Sequence, residues 1–104
     1  MQNLPGRRLG KYLVDAPIAR DGMAWVYRGQ DTLLNRPVAL KVLDPALTAD
    51  PASAERFRRE AVTAANLQHP NIVPVYDVRE DDGLLYTAMR YVPGETLRDR
   101  LIRE

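Results

Sequence analysis

The run Arg36-Pro37-Val38-Ala39-Leu40-Lys41-Val42-Leu43 constrains the fold more than any other stretch, because it reads as a covered β-strand with one ammonium group in its middle. Side chains of a strand alternate between faces, so Val38, Leu40 and Val42 point one way and Ala39, Lys41 and Leu43 the other. Both rows are apolar except at Lys41. Such a lysine either sits at an edge and snorkels to water or meets a partner of opposite charge. Glu60 is the candidate partner.

The rest of the chain supplies strands around this one and a single substantial helix. Residues 1–10 mix Pro, Gly and two arginines without periodicity and read as a loosely held tail. Residues 11–18 predict a first strand, at a sheet edge because Pro17 cannot donate to a ladder. Arg20-Asp21-Gly22-Met23 predicts a hairpin turning at Asp21 and Gly22, since both tolerate positive φ. A second strand over 24–30 and the central strand follow.

The period then changes. Asp50-Pro51 is an N-cap followed by proline at the first helical position, and Phe57, Ala61, Ala64 and Leu67 recur at helical spacing to about residue 68. On the helical wheel Glu60 borders this apolar stripe and can face the core, whereas Glu55, Arg58, Arg59 and Asn66 lie opposite. Val62 falls on the polar side as an exposed contact point. His69-Pro70 ends the helix. A fourth strand over 72–79, with Pro74 marking an edge, a turn at 80–83 and a fifth strand over 84–91 follow. Thr96 and Asp99 then resemble a capping box for a last helix carrying Leu97, Leu101 and Ile102.

Composition removes several classes of function. The 104 residues allow one domain or a piece of one, and a net charge of +1 gives no electrostatic case for nucleic acid or an anionic membrane. Without cysteine there is no disulfide, thiolate metal site or cysteine nucleophile. No run approaches the ~18 apolar residues of a membrane span, and residues 1–10 lack a signal core. The expected location is cytoplasmic. His69 has no second ligand near it in sequence and reads as structural, so no metal site is expected.

Three strands, a helix and two strands, with lysine on the third strand and glutamate on the helix, resemble the N-terminal lobe of a bacterial-type serine/threonine protein kinase. Val38-Ala39-Leu40-Lys41 matches that family's Val-Ala-Ile-Lys. Phe57-Arg58-Arg59-Glu60-Ala61 and Leu67-Gln68-His69-Pro70-Asn71-Ile72-Val73 look like its αC helix and following strand. Residues 86–97 look like its fifth strand, hinge and next helix, and the resemblance covers residues 9–104. It implies an α+β fold with a five-stranded antiparallel sheet and one main helix: residues 1–10 a tail, 11–92 the lobe, and 93–104 the hinge exit without a C-terminal lobe.

The same resemblance implies that Lys41 binds the α- and β-phosphates of ATP and that Glu60 holds Lys41 by an ion pair. Ala39 would lie against adenine with Ile18 and Val26 above it, Met89 would guard the back of the pocket, and the hinge Arg90-Tyr91-Val92 would hydrogen-bond adenine through its backbone. The phosphate loop falls on Ala19-Arg20-Asp21-Gly22-Met23-Ala24, where Ala19, Asp21 and Ala24 stand at the family's three glycine positions. Arg90 stands where the family usually has glutamate.

No His-Arg-Asp catalytic loop and no Asp-Phe-Gly occurs in these residues, so Mg2+ is expected only with a C-terminal lobe, and these residues alone are expected to be inactive. The reading is an ATP-binding lobe of an enzyme acting on protein substrates. The alternative is a non-catalytic, pseudokinase-like module that self-associates or docks a partner through the αC face or through Leu97, Leu101 and Ile102.

Overall fold

The computed structural model describes residues 4–66 and 75–91, apart from the side chains of residues 21 and 64–66. The helix end at 67–70, the start of the fourth strand, Val92 and the last helix with Leu97, Leu101 and Ile102 lie outside the described residues.

The elements are β1 (Arg8–Leu9), β2 (Tyr12–Asp21), β3 (Ala24–Asp31), β4 (Arg36–Leu43), α1 (Pro45–Thr48), α2 (Pro51–Asn66), β5 (Val75–Asp81) and β6 (Leu84–Arg90). The strands form one antiparallel sheet in the order β1-β2-β3-β4-β6-β5. β5 ends the sheet as expected, whereas β2, expected at the other edge, has β1 outside it; β1 pairs only with Leu13 and Tyr12, leaving Pro17 beyond its reach. The sixth strand is β1, inside the segment expected to be a loose tail.

Turn chemistry accounts for the connections. Asp82 and Gly83 join β5 to β6 with φ of +54° and +74°, the two left-handed positions of a type I′ hairpin. Between β3 and β4, Asp31 Oδ1 accepts the N–H groups of Leu33 and Leu34, both at 2.9 Å, while Oδ2 lies 3.4 Å from Lys11 Nζ. Those backbone bonds, with the lysine charge, hold the buried Asp31 carboxyl below its usual range.

Lys41 is not at an edge: its strand lies between β3 and β6, and both faces of the sheet are covered. On one face Tyr12, Val14, Tyr27, Val38, Leu40, Val42, Tyr86 and Ala88 form the main core. On the other, Ala24, Leu43 and Leu85 pack against Ala54 and Phe57 of α2. A buried side chain of the size of Phe57 contributes about 1.5–3 kcal/mol of transfer free energy, and this packing is what seats the helix. Asp50 accepts the Ser53 hydroxyl on its side chain at 2.7 Å and the Ala54 N–H on its carbonyl at 3.0 Å, and the hydroxyl bond keeps its carboxyl below the usual range. The expected cap is therefore present.

The loose-tail expectation is corrected. Leu4 and Leu9 are buried in the main core, the Gly6 N–H donates to the Val14 carbonyl at 2.8 Å, and the Val14 N–H donates to the Arg7 carbonyl at 2.8 Å. The sheet curls enough for its two ends to meet. Arg7 reaches Asp82 at 3.3 Å, and the Tyr86 hydroxyl donates to Asp81 Oδ2 at 2.6 Å while lying 3.2 Å from the Leu9 carbonyl. Nearby, the Tyr12 hydroxyl donates to Asp77 at 3.2 Å and the two rings meet edge to face, 6.0 Å apart. Burial and the adjacent carboxylates push both phenols well above their ordinary pKa, so they remain donors.

Candidate functional site

Register builds the site around Lys41. Lys41 stands directly opposite Val26 on β3 and Thr87 on β6, and Val26 in turn stands opposite Ala19 on β2. Ala39 stands opposite Met89 on the next rung of the same face. Val26, Ala39 and Met89 form one buried cluster with Ala19 packed against it, distinct from the cluster under α2. Lys41, half-buried, thus lies on a sheet face with small apolar residues on one side and helix-covered residues on the other. Five of the sequence-picked residues, Ala19, Val26, Ala39, Lys41 and Met89, are brought together by pairing.

Ile18 differs. The register slips between Pro17 and Ala19, making Ile18 the extra residue of a bulge, and it is 40% exposed. Arg90 is exposed and Tyr91 half-buried at the end of β6. Arg28 binds Asp15 Oδ2 through Nε at 2.8 Å and Nη2 at 2.7 Å, so a cation from β3 is held by a carboxylate of β2. An open groove of about 440 Å3 lies there, lined by Leu13, Asp15, Arg28, Gln30 and Pro37. It is not over Lys41.

Glu60 is the main correction. It is exposed, and no ion pair between described residues joins it to Lys41. The cause is the way α2 is seated. Its buried positions are Ala54, Phe57 and Ala61, and at 3.6 residues per turn Glu60 lies about 90° round the helix from their centre. Arg58, also exposed, holds Glu80 of β5 at 3.2 Å. Val62 is 53% exposed, as its place on the wheel predicts.

The hairpin is also corrected, by one residue. Asp21 pairs with Ala24, so the turn is Gly22-Met23 rather than Asp21-Gly22, and φ at Gly22 is +57°. A left-handed first position suits a type II′ turn. The three residues standing where glycine was expected, Ala19, Asp21 and Ala24, occupy paired strand positions, where a Cβ carries no steric cost. Met23 packs beside Leu47 against the cluster under α2.

Thr87 is a residue that sequence reasoning missed. It is 3% exposed and directly opposite Lys41. Nothing local marks it, because its importance comes from pairing between strands separated by a helix and a further strand.

The protein kinase domain family matches residues 13–104. A probable serine/threonine-protein kinase of Streptomyces coelicolor is 48% identical over 101 residues, covering 93% of this chain and 15% of that protein. The serine/threonine-protein kinase PrkC of Bacillus subtilis is 44% identical over 97 residues, covering 92% and 15%. Among solved structures, a double mutant of the Mycobacterium tuberculosis PknI kinase domain superposes with a TM-score of 0.73 at 40% identity, covering 88% of this chain and 36% of the other. The apo form of PpkA-294 shares the fold at a TM-score of 0.77, with 24% identity. The chain spans about a seventh of the length of the curated relatives named here. With the sheet, helix and lysine strand arranged as described, the chain belongs to the protein kinase family and is similar to the N-terminal lobe of bacterial serine/threonine kinases.

Proposed function

We propose that this lobe binds ATP against the Lys41 face and positions it for transfer of the γ-phosphoryl group to a serine or threonine hydroxyl of a protein substrate. The observation that carries the reading is the register placing Lys41, Val26, Ala39 and Met89 on one face. The residues suit the ligand: small apolar side chains accept a flat base, and one ammonium group meets phosphate oxygens. Lys41 holds the α- and β-phosphates, while the end of β6 at Arg90 and Tyr91, with Val92, offers backbone groups to adenine.

The lobe supplies binding and orientation, which dominate phosphoryl transfer. These 104 residues contain neither the catalytic-loop aspartate nor the Asp-Phe-Gly aspartate, so phosphoryl transfer would draw its proton acceptor and Mg2+ ligands from other residues. Among the described residues no helix is long and apolar enough to cross a membrane.

Glu60 enters as a control point. Glu60 lies about a quarter turn from the centre of the buried face of α2, so the placement of α2 decides whether it meets Lys41, and kinase activation depends on helix placement of this kind. The exposed Glu60 also favours a second reading, a non-catalytic module that docks a partner through the α2 face around Val62. Calorimetric titration of the full-length protein with Mg-ATP separates the two. Saturable binding weakened by Lys41→Met supports the first, and absence of binding supports the second.

A further inference from the structure

The Gly22-Met23 turn is gripped from the side of the sheet away from Lys41. Arg20 donates from Nε to the Gly22 carbonyl at 3.1 Å, its other arm lies 3.4 Å from Asp44 Oδ2, and its guanidinium carbon sits 4.6 Å from the centroid of the Trp25 ring. Arg20 stands opposite Trp25, and Trp25 stands opposite Val42 of the main core. Lys41 and Val42 alternate along β4, so Arg20 and Lys41 occupy opposite faces. Asp44 is itself fixed. Its Oδ1 accepts the Ala46 N–H at 3.0 Å, and its own N–H donates to the Met23 carbonyl at 2.9 Å.

In a planar trans peptide the carbonyl and the N–H point in opposite directions. A Gly22 carbonyl held toward Arg20 therefore turns the Met23 N–H toward the face that carries Val26 and Lys41. We propose that Arg20 is a positioning residue for phosphate binding: it clamps the Gly22-Met23 peptide from the far face and so presents the Met23 amide to a phosphate lying beside Lys41. The inference rests on the nucleotide reading above. A loop of glycines must be ordered when the ligand arrives, whereas a turn held by Arg20 meets less of that cost. It explains how a loop with Ala19, Asp21 and Ala24 in place of glycines can still offer an amide to phosphate.

The test is titration of the full-length protein and of Arg20→Met with ATP, ADP and adenosine. Methionine keeps an apolar stem over Trp25 but cannot donate. Without the clamp the Gly22-Met23 peptide must be ordered on binding, which predicts about a tenfold fall in ATP and ADP affinity, with adenosine, which has no phosphate, unchanged. Asp44→Asn keeps a good N-cap and loosens Arg20 from its other end, so it predicts a smaller fall of the same selective kind and carries the test if Arg20→Met does not fold. Trp25, the single tryptophan of the sequence, reports the state of the stack by its emission. Equal losses for adenosine and ATP, or no change in ATP affinity when the wild type binds it, overturn this inference alone. Absence of wild-type binding to all three overturns the nucleotide reading and this inference with it.

Discussion

Leu9→Ala tests whether the N-terminal segment is part of the folded lobe. Leu9 has no exposed surface and packs with Tyr12 and Tyr86 in the main core, although it lies only nine residues into the sequence. Leu→Ala changes in cores cost about 2–5 kcal/mol, the spread reflecting how far the site can collapse. A short strand near the start of the chain can relax, so the lower half applies, about 2–3 kcal/mol. At about 4–8 °C per kcal/mol for a domain near this size, the melting temperature should fall by ~10–20 °C. Urea unfolding followed by circular dichroism should show the midpoint lowered with the slope unchanged. Leu33→Ala is the control: Leu33 is 75% exposed, and such surface changes stay within about 0.5 kcal/mol. If Leu9→Ala also stays within about 0.5 kcal/mol, the segment does not belong to the core and the account of sheet closure is wrong.

Gly29→Ala should destabilise by about 1–3 kcal/mol in the same assay, because the added Cβ would lie 2.7 Å from Leu40 Cδ1 and 2.8 Å from the Leu13 carbonyl oxygen; a neutral result would mean that β2 can move aside. Asp31 has a folded pKa below its ordinary value of 3.8, so its stabilisation is fully present above that pH and is lost as pH falls through the depressed pKa. The stability gap between wild type and Asp31→Asn should accordingly narrow on acidification below about pH 4, and a gap that widens contradicts the assignment. Glu60→Ala should change stability by less than about 0.5 kcal/mol, as expected of an exposed residue, while lowering phosphotransfer by the full-length protein. A large stability loss would mean that Glu60 is packed rather than exposed.

What the sequence reveals and what it conceals divides along the range of the interaction. The β4 bounds, the cap at Asp50 and a turn ending at Gly83 are legible because alternation, capping and left-handed turn residues act within a few positions, although Glu80 and Asp81, read as part of that turn, are paired residues of β5. The tail's docking is not, since it depends on the curl that brings Leu9 to Tyr86, 77 positions away. Thr87 beside Lys41 depends on β4–β6 register, for which no single strand carries a signal. The wheel put Glu60 at the margin of the apolar stripe, and a marginal residue faces in or out according to a small rotation of the helix. At the hairpin, Asp21-Gly22 and Gly22-Met23 both contain a glycine able to turn. The cross-strand pair Asp21–Ala24 selects the second, and with it the orientation of the peptide that Arg20 holds.

The measurement that bears most directly on the central claim is calorimetric titration of the full-length protein with Mg-ATP, run on wild type and Lys41→Met at matched folded fractions. The account predicts saturable binding of the wild type in the micromolar range and at least about a tenfold loss in Lys41→Met, the cost of removing one charge-assisted phosphate contact. Wild-type protein that takes up no nucleotide, or a Lys41→Met variant that binds as well as wild type, would contradict it.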